Sequence, residues 1–168
     1  MKTKNILFAI VATASILVYS CTKDSGKDTT FQILMTDAPT TLQEVNIDLR
    51  EVRVKFTDTA WVTLQTNAGV YNLLALQNGV STLIAQGNFA SNVVKEIRLI
   101  LGENNTVKED NQVYPLRIPS GAESGLKIKV DKKLNATLET LLIDFDAALS
   151  VKKENDGYKL RPVIKVKG

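Results

Sequence analysis

The sequence predicts an all-β fold, an antiparallel β-sandwich of immunoglobulin-like or transthyretin-like kind, following an N-terminal signal helix. Two observations predict it. Apolar and polar residues alternate with a period of two along most of the chain, and turn-forming residues punctuate those runs at regular intervals. In order, Phe31 to Met35 gives a first short strand. Val45, Ile47 and Leu49 alternate with Asn46, Asp48 and Arg50, and Val52, Val54 and Phe56 continue around Arg53 and Lys55. The apolar parity switches between Leu49 and Val52, which predicts a β-bulge near Arg50-Glu51. Trp61 to Gln65 and Tyr71 to Leu76 follow as short strands about the Asn67-Ala68-Gly69 turn. After Asn78-Gly79, Val80 to Gln86 is the one helical candidate of the folded part.

Further on, Ile97, Leu99 and Leu101 alternate around Arg98, and Gly102 to Asn105 is a turn. Val113 to Ile118 fits a strand before the turn Pro119-Ser120-Gly121. Leu126, Ile128 and Val130 alternate with Lys127, Lys129 and Asp131. Leu141, Ile143 and Phe145 alternate with Leu142, Asp144 and Asp146. Asn155-Asp156-Gly157 then precedes a last strand from Tyr158 to Val166.

The start of the chain has a different character. Lys2 and Lys4 precede an apolar run from Ile6 to Val18, and sixteen residues separate Lys4 from Cys21. That is short of the roughly 20 apolar residues a membrane-spanning helix needs. The pattern is that of a secretory signal peptide. Leu17-Val18-Tyr19-Ser20-Cys21 resembles the lipobox of bacterial lipoproteins, with Tyr19 larger than the usual residue there. The resemblance implies cleavage before Cys21, lipid (palmitate) on that cysteine, and a place in the cell envelope, with the outer membrane favoured. Cys21 is the single cysteine, so it has no partner for an internal disulfide. The expected organisation is a signal peptide over residues 1–20, lipidated Cys21 with a polar tether to residue 30, and one β-sandwich domain over residues 31–168. Lys23-Asp24 resembles part of the export signal of Bacteroidetes-type lipoproteins.

Composition narrows the chemistry. Removing Lys2 and Lys4 with the signal leaves 19 basic and 18 acidic residues, so the precursor's +3 falls to +1 and no bulk case for nucleic-acid binding survives. Histidine is absent and the cysteine is assigned to lipid. Triads, cysteine–histidine nucleophiles, histidine-ligated zinc and thiolate metal sites are therefore excluded. What remains is carboxylate acid–base chemistry, a serine–lysine pair, or oxygen ligation of calcium, the one cofactor considered.

Five segments stand out together: Thr36-Asp37-Ala38-Pro39, Leu73 to Gly79, Pro119-Ser120-Gly121 with Gly125-Leu126-Lys127, Asp144-Phe145-Asp146-Ala147, and Leu160-Arg161-Pro162. In order and spacing they resemble a bacterial lipoprotein domain family of unknown function over roughly residues 31–166. The resemblance implies a location and a one-domain layout, and no reaction.

Candidate sites follow from residue chemistry. Asp37 suits a turn carboxylate accepting backbone N–H bonds, or a ligand group. Asp144 and Asp146, two apart on a predicted strand, would share one face and with Asp37 or Asp48 could hold calcium; pairing with neighbouring lysines and arginines is the plainer expectation. Lys159, Arg161, Lys165 and Lys167 are predicted to share one face of the last strand. That face suits an anionic glycan or lipid, or an edge strand defended by charge. Trp61 suits core packing, or stacking on a sugar. Asn104-Asn105-Thr106 and Asn135-Ala136-Thr137 match the glycosylation sequon and indicate polar loops. The expected function is a non-enzymatic binding or structural module of the envelope, with a polysaccharide or envelope protein as partner. A glycan-binding module and a carboxylate-dependent glycan-acting enzyme are the alternatives.

Overall fold

The structure, a computed structural model, describes residues 28–57, 60–90, 93–119, 125–155 and 157–167. The alternating runs become strands β1 (Thr29–Asp37), β2 (Glu44–Phe56), β3 (Trp61–Thr63), β4 (Gln65–Thr66), β5 (Gly69–Asn72), β6 (Thr82–Phe89) and β7 (Val93–Leu101). They continue as β8 (Thr106–Glu109), β9 (Gln112–Arg117), β10 (Leu126–Lys133), β11 (Leu138–Phe145), β12 (Val151–Glu154), β13 (Gly157–Leu160) and β14 (Ile164–Lys167). The helical content among the described residues is a 3₁₀ turn, Leu73–Leu76, and the single-turn helix α1, Ala147–Ser150.

Two sheets pack face to face. One has the order β14-β11-β1-β6-β4 and the other β10-β7-β2-β8-β9-β13-β12, with β3 and β5 added along β2. Inward residues of the first sheet, including Phe31, Ile33, Ile84, Ile143 and Phe145, join one buried cluster with Val45, Val52, Val54, Ile97 and Leu99 of the second. Burying each such side chain stabilises by about 1.5–3 kcal/mol.

The structure corrects several expectations. The sheets are mixed: β1 runs parallel to β11 and β13 parallel to β9. Val80 to Gln86 is not helical, because Thr82–Phe89 is a strand held between β1 and β4, whose backbone groups supply its partners. The strand expected over Tyr71 to Leu76 stops at Asn72, whose side chain accepts the Leu74 N–H and caps the 3₁₀ turn. The last strand is not continuous, since Arg161 to Val163 lie outside any strand and the chain passes there from one sheet to the other. Pro162, which lacks an N–H to donate, sits in that break. Thr29 and Thr30, expected in the polar tether, already belong to β1, since Thr29 is buried and Thr30 pairs with Leu138 and Asn88. β8 has no counterpart in the predicted strands. It pairs with β9 across Asp110-Asn111, both at positive φ (50° and 60°), a hairpin geometry that Asp and Asn tolerate.

The bulge forms where the parity change places it. Leu49 pairs with Leu101 and Glu51 with Ile100, which leaves Arg50 as the extra residue. At this level the neighbour of β2 changes from β7 to β8, and polar side chains hold the junction. Asn105 Oδ1 accepts the Asp48 N–H at 2.9 Å, Asn105 Nδ2 donates to the Gly102 carbonyl at 2.6 Å, and the Gly102 N–H donates to the Asp48 carbonyl at 2.7 Å. Asp48 Oδ2 accepts from the Asn104 N–H at 3.1 Å and from Arg50 at 2.7 Å. Only glycine fits at 102, where a Cβ would stand 2.3 Å from Asp48 Oδ2.

Asn105→Ala leaves the Asp48 N–H and the Gly102 carbonyl without these partners in a site where Asn105 is 3% exposed. The expected loss is about 1–3 kcal/mol, measured by urea unfolding with the exposed neighbour substitution Asn104→Ala as control. Equal effects of the two substitutions would contradict the role assigned to Asn105.

Candidate functional site

Three of the five segments fold onto one another at the end of β1. Asp37 Oδ1 accepts the Ala147 N–H at 2.8 Å, and Asp37 Oδ2 accepts from Gln77 Nε2 at 3.2 Å. The same Gln77 nitrogen donates to the Ala38 carbonyl at 3.2 Å. The Thr36 hydroxyl lies 2.8 Å from the Leu76 carbonyl and 2.7 Å from that of Val80, so its one proton is shared across the 3₁₀ turn and the residues after it. Asp37 is 4% exposed, and burial pushes its carboxyl above the ordinary value. The bonds from Ala147, Gln77 and Ala38 oppose that rise, and the neighbouring Asp144 charge adds to it.

Asp144 and Asp146 do not share a strand face, which corrects the sequence expectation. Asp146 falls just past β11 and caps α1, accepting the Leu149 N–H at 3.0 Å. Asp144 Oδ2 lies 3.0 Å from Lys167 Nζ, while its buried Oδ1 has no hydrogen-bond partner among the described residues. Asp37 and Asp144 are thus brought together, whereas Asp48 belongs to the bulge of the other sheet. Among the described residues no group of three or more carboxylates stands close enough to hold a metal ion.

A cleft of about 540 Å³ opens beside this cluster. One wall is the loop after β1, Pro39 to Leu42; the other comprises Ala148 of α1, Val151 and Lys153 of β12, and Tyr158 of β13. Glu109, at the end of β8, accepts from both the Lys153 ammonium and the Tyr158 hydroxyl. Lys153 first, then Tyr158, hold the Glu109 carboxyl below its usual range. Glu109 in turn raises the Lys153 ammonium and the Tyr158 hydroxyl. The Tyr158 ring packs on Tyr114 with centroids 5.2 Å apart. Glu109 and Lys153 therefore stay charged through neutral pH and neutralise each other, an arrangement suited to holding a polar ligand rather than to moving a proton. Sequence reasoning misses this trio, because β8 is only four residues long and its two-residue turn carries no glycine; Asp110-Asn111, at positive φ, is the available signal.

The other segments meet elsewhere. Pro119, Gly125, Leu126, Leu160 and Pro162 line a second recess of about 490 Å³. Lys159, Arg161, Lys165 and Lys167 do not form one basic face, because the break at Pro162 places Lys159 on β13, Lys165 and Lys167 on β14, and Arg161 between them. Arg161 lies 3.2 Å and Lys159 3.9 Å from Glu154 Oε1, and Lys167 binds Asp144. Trp61 lies outside the buried cluster, half-buried on β3, with the Arg98 guanidinium 4.0 Å from its ring centroid. Asn104 and Asn135 are exposed. Cys21 and the expected signal segment lie outside the described residues, among which no helix is long and apolar enough to cross a membrane.

Residues 28–162 match the family described as a domain of unknown function, DUF4382. The chain belongs to that family. No curated protein and no solved structure matches it. The DUF4382 match runs from just before β1 to Pro162, so it takes in both walls of the cleft and the Asp37 cluster beside it.

In this DUF4382 domain the raised Asp37 carboxyl has a consequence for stability. The folded chain holds the Asp37 proton more tightly than the unfolded chain, whose value is near 3.8. That contribution is complete below the unfolded value and is lost as pH rises through the folded one. Asp37→Asn removes it, so the stability advantage of the wild type over the variant is expected to be larger near pH ~3.5 than at pH ~7. Urea midpoints at the two values check this, and an advantage that grows with pH would contradict it.

Proposed function

We propose that this chain is a lipid-anchored protein of the cell envelope whose β-sandwich is a non-catalytic binding module, with its ligand held in the cleft between the loop after β1 and the β12–β13 hairpin. The observation that carries the reading is the location of the cleft. The Thr36-Asp37-Ala38-Pro39 and Asp144-Phe145-Asp146-Ala147 segments meet there, and Pro39 from one and Ala148, just after the other, face the same space. Such a space suits a small ligand or one segment of a larger one.

The ionisable groups support binding over catalysis. Glu109 and Lys153 are matched to each other. Among the described residues the one carboxyl with a raised value, Asp37, has both oxygens engaged by donors and does not line the cleft. Loop residues on a rigid sandwich commonly supply recognition, and here Thr40, Thr41 and Leu42 of the loop line the cleft together with Val151. The lipobox-like segment ending at Cys21 supports the anchor, since two or three acyl chains hold a protein firmly where one does not.

Both parts are open to test. Labelled palmitate is expected on the wild type and absent from Cys21→Ser; incorporation into neither, or equally into both, would sink the anchor. On an array of bacterial and host polysaccharides and envelope peptides, saturable binding by full-length protein in detergent is expected to fall roughly tenfold or more when Ala148→Trp fills the cleft. Binding untouched by that substitution would place the ligand elsewhere, and turnover of the bound ligand would overturn the non-catalytic reading.

A further inference from the structure

The outer face of the second sheet carries an arrangement that the fold itself does not require. Outward positions alternate with buried ones along three neighbouring strands: Glu51, Arg53 and Lys55 on β2, Glu96 and Arg98 on β7, and Lys127 and Lys129 on β10. The register sets Arg53 opposite Arg98 and Arg98 opposite Lys127, so three cations stand in one cross-strand row. The next row is Lys55, Glu96 and Lys129. Directly opposed side chains start with Cβ atoms about 5 Å apart, and like charges at that spacing repel.

Within the fold this repulsion is only partly relieved. Glu51 takes Arg53 in a two-pronged pair, both contacts at 2.8 Å. Arg53 and then the Thr63 hydroxyl hold the Glu51 carboxyl down at about 2, so it stays ionised and bound. Among the described residues, Arg98, Lys127, Lys129 and Lys55 make no ion pair. The buried Nε of Arg98 has no acceptor among the described residues. Trp61, on the far side of β2 from Arg98, reaches across that strand so that its ring lies under the guanidinium. The contact fixes the fork of Arg98 in place without using any of its donors.

We infer that this face, with Arg98 at its centre and Lys127, Lys129 and Lys55 around it, binds an acidic polysaccharide bearing carboxylate or sulfate groups. Charge complementarity carries the choice of partner: five cations stand against two carboxylates, arranged in rows across a sheet where a linear polyanion can meet several at once. A guanidinium with no hydrogen bond or ion pair to the described residues suits a planar carboxylate or a sulfate. A bilayer surface fits less well, because membrane-seated faces insert large apolar side chains. Among the described residues the exposed ones, Val70, Val80, Val113, Leu138, Leu149 and Val166, lie off β2, β7 and β10, and Val62 points away from the Trp61 side of β3. This inference does not rest on the cleft.

The test uses full-length protein in detergent, with polygalacturonate and dextran sulfate as probes, neutral dextran as control, and phosphatidylglycerol vesicles as the competing anionic surface. Saturable binding to at least one polyanion and none to neutral dextran is expected. Lys127→Glu with Lys129→Glu, both exposed and on an edge strand, is expected to weaken it by roughly tenfold or more. Arg98→Gln should do likewise with an unchanged circular dichroism spectrum. The matched control, Lys152→Glu with Lys165→Glu, removes the same charge from other strands and should change binding less than about twofold. Equal losses from the two charge-reversed pairs, binding to vesicles as strong as to polysaccharide, or no polyanion binding would each overturn the inference.

Discussion

The register of the whole second sheet depends on the polar junction at the Arg50 bulge. Asp48, Asn105 and Gly102 bond to one another there through backbone and side chain, and the neighbour of β2 changes from β7 to β8 at that point. Without the extra residue the apolar sets Val45-Ile47-Leu49 and Val52-Val54-Phe56 would face opposite sides of the sheet. With it, both sets face the core and Arg53 and Lys55 face outward. The two surfaces given functional readings both descend from this point. The β7 side leads to the cation row, and the β8 side carries Glu109 to the cleft.

The first sheet has a comparable device at its end. Asp37 joins β1, the residues after the 3₁₀ turn and the start of α1 through one carboxylate. Burying an acid there costs free energy, which the hydrogen bonds partly offset and the nearby Asp144 charge increases. The result is a cluster that shapes the wall of a cleft without entering it. Polar groups buried in this way fix geometry more effectively than they add stability, because each admits few arrangements that satisfy its partners.

Much of the fold was legible. Alternation gave β1, β2, β7, β10 and β11 to within a few residues, and the parity switch gave the bulge. Pairing was not legible, because β1 and β11 are more than a hundred residues apart and nothing local marks them as parallel neighbours. The same gap explains the misread segment at Val80 to Gln86, where periodicity alone does not separate a short buried strand from a helical turn. It also explains the sites. The Arg53, Arg98 and Lys127 positions were each visible as outward residues of a strand, but their alignment exists only in the register. Conversely, Lys159 to Lys167 resembled one basic face until Pro162 divided it between two sheets. Asp37, Asp144 and the turn segments could be named from sequence, while Glu109, Lys153 and Tyr158 come together only through the β8–β9 and β12–β13 hairpins.

The measurement that bears most directly on this account is the cross-strand register of the second sheet in solution, read from nuclear Overhauser contacts between backbone protons. Contacts joining Arg53 to Arg98 and Arg98 to Lys127, with the Asp48 amide close to the Asn105 side chain, are the predicted result. Contacts joining Arg53 instead to Ile97 or Leu99 would mean a slipped register, with no bulge at Arg50 and no cation row, and would contradict it.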